Sequence, residues 1–325
     1  MKQYFVVWNI FQRRALSMQD AFGYELTFLA PLVKSKLTKA VDYIVRSFKT
    51  LKILIKEQPK VIWIQLPPVP LLYIAHIYRL FRKVHIVVDC HNSMIKPFWL
   101  KWPFTKSLLA NSSAVLVHND DVKRQALSLG VQAENLYVLE DRPANISSNE
   151  DSNLDDYLHP WILFPSSFGK DEPIEEVISA AALAPEITFV LTGGHSSAKN
   201  IHKLENIPKN IVMTGFLPIE KFNTLLCAAD AVLGLTKWEG VQLSVCNEAL
   251  GAEKPMVLSN TALLKELFYM GAVFIDSSDP KSIAEGCRKI VTEKSKYSMQ
   301  AVQLKGERLE KWTTQAQLVM DGIKK

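Results

Sequence analysis

The chain has 325 residues, a net charge of +5 and a hydrophobic fraction of 48%. This length exceeds what one compact core usually needs and suits two, and the mixed composition excludes a disordered or fibrous chain. Four cysteines without metal-ligand spacing indicate reduced core residues of a cytoplasmic protein rather than a disulfide framework.

Apolar segments typical of strands alternate with helical segments in the first half of the chain. The predicted strands there are 4–8, 24–29, 61–65, 85–89, 114–118 and 136–139. The predicted helices are 35–57, 70–82, 104–111 and 121–129. No signal peptide is expected at the N-terminus. Polar residues and prolines interrupt the apolar stretch 61–81, so we interpret it as a buried strand and a helix rather than a membrane span.

The second half of the chain repeats this alternation. Its predicted strands are 161–164, 188–192, 211–214, 231–235, 256–258 and 272–275. Its predicted helices are 174–183, 220–229, 243–252, 263–269 and 280–293, followed by a long helical tail at 298–323. Continuously apolar strands separated by helices predict an α/β fold, in which two Rossmann-like doubly wound parallel-sheet domains face a central cleft.

Charge also divides the chain, because residues 1–150 carry a net charge of +9 and residues 151–325 carry −4. This asymmetry suggests two domains with different partners. A polar, acidic stretch with several Asn, Ser and Asp interrupts the alternation between them. We predict an N-terminal domain at 1–142, a linker at 143–158, a C-terminal domain at 159–297 and a terminal helix at 298–325.

The segment 237–260 carries the clearest chemical pattern, a strand–loop–helix–strand unit that contains Glu239 and Glu248. The start of a helix has unpaired backbone N–H groups and a positive dipole end, so it suits a diphosphate. A carboxylate within the same helix can instead accept hydrogen bonds from a sugar diol. The pattern therefore predicts a site for a nucleotide or a nucleotide-sugar.

Two ordered motifs in the C-terminal half resemble a known family. The stretch NIVMTGFLPIEKFNTLLCAADAVLGLT, followed by WEG…NEALGAEKPMVLSN, resembles family 4 glycosyltransferases of the GT-B fold, and the match is best over 211–275. The resemblance implies a hexosyltransferase-type enzyme that takes a nucleotide-diphospho-sugar as co-substrate, retains anomeric configuration and needs neither a metal nor another cofactor. It also implies that the tail 298–323 returns to the N-terminal domain.

The resemblance assigns roles to several residues. Glu248 is expected to bind the ribose hydroxyls and Glu239 the hydroxyls of the transferred sugar; the alternatives are a surface helix glutamate and a loop carboxylate without a ligand. Phe216 and Leu217 would flank the base. The diphosphate would lie on the loop formed by Gly240, Val241, Gln242, Leu243 and Ser244.

The sequence departs from the family pattern in three places. Eight residues separate the two glutamates where the family usually has seven, and the extra residue lies in the loop beside Glu239. The stretch PSSFGKDEP lacks the usual arginine. Either Lys170 replaces it, with hydroxyls offered by Ser166 and Ser167, or the helix dipole and backbone stabilise more of the leaving-group charge. The Gly-rich turn after the first strand is replaced by a segment with Arg13 and Arg14, which either contact an anionic acceptor or the diphosphate, or form a solvated basic turn.

Three further positions follow strands at the expected cleft. By the resemblance, His91 would hydrogen-bond the donor sugar or position the acceptor hydroxyl, although a structural histidine is the alternative. Asn92 is a weaker neighbour, and Gly193 forms a turn that faces the same cleft. No carboxylate pair has the context of a metal site, so no metal is expected.

Aromatic and basic residues alternate in 92–106, and the helix 35–57 adds more basic residues. This mixture suits an anionic membrane surface, which favours a peripheral enzyme at the cytoplasmic face acting on a saccharide or lipid-linked saccharide in polysaccharide or glycolipid biosynthesis. The alternative is a packed loop beneath a solvated helix. Nucleic acid is not expected as a partner.

Three rival functions remain open at this point. A catalytically degenerate GT-B protein would act as a nucleotide- or partner-binding module, and the absent arginine favours it. A Rossmann oxidoreductase would need a GxGxxG motif after its first strand, and the sequence has none at that position. A nucleotide-sugar epimerase of the same fold would also use the C-terminal glutamate, but it needs catalytic carboxylates that face the cleft from the N-terminal domain, and the sequence does not locate them.

Overall fold

The computed structural model describes residues 1–32, 38–147, 157–194, 201–202, 204 and 206–324. The strands are β1 Gln3–Val7, β2 Tyr24–Phe28, β3 Val61–Leu66, β4 His85–Cys90, β5 Ala114–Val117, β6 Leu136–Val138, β7 Trp161–Pro165, β8 Thr188–Thr192, β9 Ile211–Gly215, β10 Ala231–Gly234, β11 Met256–Ser259 and β12 Ala272–Ile275. The helices are α1 Arg13–Ser17, α2 Gln19–Phe22, α3 Lys39–Glu57, α4 Pro70–Phe81, α5 Pro97–Leu100, α6 Thr105–Ala110, α7 Asp120–Ser128, α8 Ile174–Leu183, α9 Ile219–Ala228, α10 Ser244–Gly251, α11 Ala262–Leu267, α12 Pro280–Thr292 and α13 Lys294–Lys324.

The strands form two six-stranded parallel sheets. The first has the order β2-β1-β3-β4-β5-β6 and the second β12-β11-β10-β7-β8-β9. Apolar residues cover both faces of each sheet, which is why the strands read as continuous apolar runs in the sequence. The predicted α/β fold with two Rossmann-like domains is therefore confirmed.

The chain divides into two compact units. The first contains Met1–Arg142 and Leu309–Lys325, and the second contains Pro143–Arg308. Helix α13 thus contributes to both, and the side chains of Trp312 and Val319 from its second half pack in the core of the first unit. Of the predicted linker, residues 148–156 lie outside the described residues, whereas Ala144 is buried within the second unit.

The stretch that sequence reasoning assigned to a strand and a helix has that structure, as β3 and α4. Within the described part of the chain, no helix combines the length and apolar character that a membrane crossing requires. Helix α3 begins at Lys39, and residues 35–37 of its predicted start lie outside the described residues.

The order of the strands identifies where a ligand would bind in each unit. In the first sheet the chain moves from β1 to β2 on one side and then to β3 on the other. In the second sheet it moves from β7 to β8 and β9, and later to β10 on the opposite side of β7. Doubly wound sheets bind ligands beyond the carboxyl ends of the strands at such switch points.

Gly251→Ala tests the close packing between α10 and the segment around Ala144, which precedes β7 in the chain. A β-carbon at this position would lie 2.0 Å from the carbonyl oxygen of Ala144, so backbone must move. We expect the variant to lose about 2 kcal/mol or more of unfolding free energy in urea denaturation.

Gly306→Ala is the matched control for this substitution. Gly306 lies within α13, and a β-carbon there would meet no atom within 4 Å. Alanine should therefore stabilise the helix by about 0.5–1 kcal/mol. Equal effects of the two substitutions would contradict the packing described here.

Candidate functional site

Three loops meet at the carboxyl edge of the second sheet. The backbone N–H of Ser166 after β7 donates to the carbonyl of Thr192 at 3.0 Å, and that of Gly193 donates to Gly215 at 2.9 Å. Gly193 has φ +127, and a β-carbon there would lie 1.9 Å from the carbonyl oxygen of Ser166. Only glycine fits this position, so Gly193 keeps the ends of β7, β8 and β9 in contact.

Glu172 organises the loop that follows β7. Its buried carboxylate accepts hydrogen bonds from the backbone N–H groups of Ser167 at 3.0 Å and Gly169 at 2.7 Å. It also accepts from the hydroxyls of Ser166 at 2.8 Å and Ser167 at 3.2 Å. A carboxylate of the protein thus occupies the donors that this loop would otherwise offer to an anion.

This arrangement bears on two predicted residues. The N–H and hydroxyl of Ser167 both point to Glu172, so the expected assistance of Ser167 to a phosphate needs these bonds to change. Lys170 is exposed on the same loop and remains its only cation. Sequence reasoning missed Glu172, although its position three residues after Gly169 in a Ser-Ser-containing turn is a signal for a capping carboxylate.

The loops on either side of the switch point are tied together. The backbone N–H of Lys237, after β10, donates to the carbonyl of Asp171 at 2.6 Å. The ammonium of Lys237 forms an ion pair with Glu176 at 2.7 Å. The hydroxyl of Thr236 donates to the carboxylate of Asp171 at 3.3 Å. These bonds fix the spacing between the two loops around the predicted phosphate position.

Helix α10 follows β10, so its N-terminus lies at the same edge of the sheet. It begins at Ser244, and its N-cap residue, Leu243, makes no side-chain hydrogen bond to the N–H groups there. Glu248 lies one turn further on and is only 8% exposed, within a helix whose residues from Val245 onward are all buried. A buried carboxylate one turn behind an open helix start is the geometry that the sequence predicted for a nucleotide.

Glu239 and Phe216 have different surroundings. The carboxylate of Glu239 accepts a hydrogen bond from the backbone N–H of Ala262 at 3.2 Å, at the start of α11. Glu239 is exposed, and in this structure it caps a helix. The ring of Phe216 is 84% exposed beyond β9, while Leu217 packs against the core. An aromatic ring held outward in this way can stack on a base.

In the first unit, Arg14 forms a buried ion cluster at the edge of the sheet. Its Nε donates to both carboxylate oxygens of Asp89, at 3.0 and 3.2 Å. Its other nitrogens donate to the carboxylate of Asp141 at 2.5 Å and to the carbonyl of Leu139 at 2.8 Å. Arg14 is therefore neither a solvated basic residue nor an open phosphate contact, because two carboxylates neutralise it.

Arg13 and His91 lie beside this cluster. The guanidinium of Arg13 lies over the ring of Phe11, at 5.3 Å from its centre. His91 follows β4, and its Nε2 lies 3.2 Å from Nε2 of Gln12. Burial lowers the pKa of His91, which favours the neutral imidazole. Asn92 follows His91 and begins a short 3-10 turn.

A second histidine, His118, lies at the same edge and was missed from the sequence. Its ring centre is 5.0 Å from that of His91, and its Nδ1 is 3.6 Å from Asp141. Its Nε2 is buried and has no hydrogen-bond partner among the described residues. The signal was available, since His118 immediately follows the strand next to the one that His91 follows.

The charges of this cluster are set by burial and by Arg14. Burial disfavours the Asp89 carboxylate, but the charges of Arg14, His118 and His91 and the hydrogen bonds from Arg14 together outweigh it and lower the pKa of Asp89. Burial likewise opposes ionisation of Asp141, yet His118 and Arg14 beside it lower the pKa of Asp141 to about 2. Burial and the charge of Arg14 lower the pKa of His118 to about 4.

The aromatic-basic segment 92–106 contributes largely to the core. Met94, Ile95 and Leu100 are buried, and the two tryptophans of the segment pack against the same cluster. Of its aromatic rings, Phe98 and Phe104 are exposed. The alternative interpretation of this segment as a packed loop is thus correct for most of its apolar residues. In the described ranges, no group of three or more His, Cys, Asp or Glu has the arrangement of a metal site.

Comparison with known proteins agrees with this architecture. HepE from Anabaena, in complex with UDP and glucose, aligns with a TM-score of 0.66 and 14% identity over 99% of this chain and 100% of that chain. A glycosyltransferase from Rickettsia africae gives a TM-score of 0.67 at 13% identity, over 100% and 99%. Sucrose-phosphate synthase from Thermosynechococcus elongatus gives 0.66 at 13% identity, over 99% and 97%.

These likenesses define the class of fold as GT-B. The sequence of residues 150–305 matches the family described as Glycosyl transferases group 1. The resemblance predicted from the C-terminal motifs is confirmed, and the match to this family covers most of the second unit. No curated protein matches the chain.

His118→Gln tests whether burial of a neutral histidine makes the protein sensitive to acid. Because the pKa of His118 falls from 6.5 to about 4 on folding, the unfolded chain binds more protons between these values and stability rises with pH across them. We expect His118 to contribute about 3 kcal/mol to this rise. Urea unfolding measured from pH 4 to 6.5 should show a smaller rise in the variant.

His76→Gln is a parallel test in the same unit, because burial also lowers the pKa of His76 to about 4, and it should likewise reduce the rise in stability with pH. The double variant should lose both contributions, whereas Asp141 affects stability only below pH 3.8. An unchanged pH dependence in His118→Gln would contradict the buried, neutral state of this histidine.

Proposed function

We propose that the protein transfers a sugar from a nucleotide-diphospho-sugar to a saccharide or lipid-linked saccharide, in polysaccharide or glycolipid biosynthesis at the cytoplasmic face of a membrane. The position of Glu248, buried one turn behind the open start of α10, carries this proposal. HepE, a protein of the same fold, is in complex with UDP and glucose. UDP is therefore the donor nucleotide that we assign first.

The donor would lie across the carboxyl edge of the second sheet. Glu248 accepts hydrogen bonds from the ribose, and the exposed ring of Phe216 stacks on the base. The start of α10 holds the diphosphate with backbone N–H groups of the loop from Gly240 to Ser244, and its dipole opposes the negative charge. Lys170, the cation of the loop that Glu172 organises, would neutralise the departing diphosphate.

The reaction would retain anomeric configuration by displacement on one face of the sugar. No carboxylate is assigned as a covalent nucleophile, because the departing diphosphate can accept the proton of the attacking hydroxyl. Glu239 leaves Ala262 to bind hydroxyls of the transferred sugar, and a neutral His91 hydrogen-bonds the sugar or the acceptor. Hydrogen-bond donors of the protein stabilise the leaving group in place of a metal.

A second candidate function is a nucleotide-binding module without transferase activity. The carboxylate of Glu172 supports it, since this group occupies donors in a loop where a cation would assist the departing diphosphate. The two candidates share the same donor site and differ in turnover, so both predict that UDP binds. Only the first predicts release or transfer of the sugar.

Glu248→Gln tests the proposed site. Loss of the charge weakens two hydrogen bonds to the ribose, so we expect the dissociation constant for UDP in calorimetry to rise by about 10- to 100-fold. The same variant should raise KM for a UDP-sugar in a transfer or hydrolysis assay. Glu266→Gln, an exposed glutamate on α11, is the matched control and should leave both constants unchanged.

Two results separate the outcomes. UDP binding that weakens in Glu248→Gln, without sugar release from any common donor, would favour the binding module. Equal UDP affinity in wild type and Glu248→Gln would contradict the site itself.

A further inference from the structure

Helix α3 has its polar and apolar faces reversed relative to an ordinary surface helix. Asp42, Arg46, Thr50 and Leu54, spaced by four residues, are buried. The opposite face exposes a row of large apolar side chains. A helix on a soluble protein normally buries its apolar stripe and exposes its polar one.

Internal bonds of the buried face hold α3 in this orientation. The guanidinium of Arg46 forms an ion pair with Asp42 and donates a hydrogen bond to the backbone carbonyl of Trp8 at 3.2 Å. It also lies 4.8 Å from the centre of the indole ring of Trp8. The indole N–H of Trp8 donates to the hydroxyl of Thr50 at 2.9 Å. Rotating the helix to hide its apolar face would break these bonds, so the apolar face stays outward.

The outward face is a continuous helical stripe. Val41, Ile44, Phe48 and Ile55 are each more than half exposed. Their spacing places them on one side of the helix, and half-buried Leu51 lies between them. Single exposed apolar residues are common on proteins, but a stripe of this kind marks a surface that contacts a partner or a membrane.

The helix that carries the stripe and the sequence that follows it are rich in basic residues. Residues 39–108 include twelve Lys or Arg and three acidic residues. Two of the acids, Asp42 and Asp89, are buried in ion pairs, and the third, Glu57, pairs with Lys2 at 2.8 Å. The exposed lysines 49, 52 and 56 lie on α3 itself. A partner that covers the stripe therefore meets positive charge and must carry negative charge at its rim.

Helix α4 extends the apolar surface beside α3. The two helices pack against each other, and α4 exposes Ile77, Leu80 and Phe81 near its end. Ile77 and Leu80 also line an open, largely apolar groove of about 550 Å³ between α4 and the residues around α6. A groove of this size and character can accept part of a hydrocarbon chain.

We propose that α3 docks on an anionic lipid bilayer. Its apolar stripe enters the boundary between headgroups and acyl chains, and its lysines contact the anionic headgroups. The anchor is α3 rather than the aromatic segment 92–106, because most apolar residues of that segment belong to the core. This inference concerns a surface outside the sugar-transfer site and does not depend on the proposed transfer.

Flotation with lipid vesicles tests the docking surface directly. Wild type should float at low ionic strength with vesicles of phosphatidylcholine containing about a third phosphatidylglycerol, and much less with phosphatidylcholine alone. Ile44→Ser with Phe48→Ser should lower the partition coefficient at least about tenfold. The triple variant Lys49→Glu, Lys52→Glu and Lys56→Glu should lower the partition coefficient by about a hundredfold.

Two controls use exposed apolar residues elsewhere. Met299→Ser with Leu318→Ser removes the same number of exposed apolar side chains from α13 and should leave flotation unchanged. Phe98→Ser should also leave it close to wild type. The α3 variants keep the buried face intact, so their thermal unfolding should match that of the wild type.

Three results would overturn the proposal. The first is absence of wild-type binding to anionic vesicles at low salt. The second is a loss in Phe98→Ser as large as in the α3 variants. The third is sedimentation of the lipid-free protein as a dimer that Ile44→Ser with Phe48→Ser dissociates, because the stripe would then be covered by a second copy of the chain.

Discussion

Parallel pairing of the strands is the constraint on which the candidate sites depend. Every strand pair in the described structure is parallel, so all loops that follow a strand lie at one edge of their sheet. Residues distant in sequence, such as Ser166, Gly193 and Gly215, meet there because each ends or follows a neighbouring strand. The chemistry of either unit can therefore be located from topology before any side chain is considered.

Buried charges have different partners at the carboxyl edges of the two sheets. In the first unit, the buried guanidinium of Arg14 balances two carboxylates and leaves nearby histidines neutral. In the second, Glu172 is held by backbone N–H groups and hydroxyls, and no cation of the described residues pairs with it. Such buried charges are costly to separate from their partners, so each one fixes the conformation of its loop. We therefore propose the start of α10 as the anion-binding position of the second unit.

Sequence periodicity was sufficient for the fold, because strands covered on both faces are apolar throughout and helices of ordinary length separate them. It also located Glu248, whose helix follows a recognisable loop. It did not reveal that Arg14 is buried, since its carboxylate partners lie 75 and 127 residues away. Nor did it reveal the outward apolar face of α3: periodicity shows that a helix has two faces, but only packing shows which one is buried. For Glu239, the capping bond to α11 depends on a loop conformation that composition does not specify.

Hydrogen–deuterium exchange with and without saturating UDP tests the central claim that the carboxyl edge of the second sheet binds the nucleotide. The account predicts slower exchange at the start of α10, in the loop 239–243 and in the turn at 215–217, with little change at the opposite edge of that sheet. UDP-dependent protection confined to other segments, or none at saturation, would contradict it.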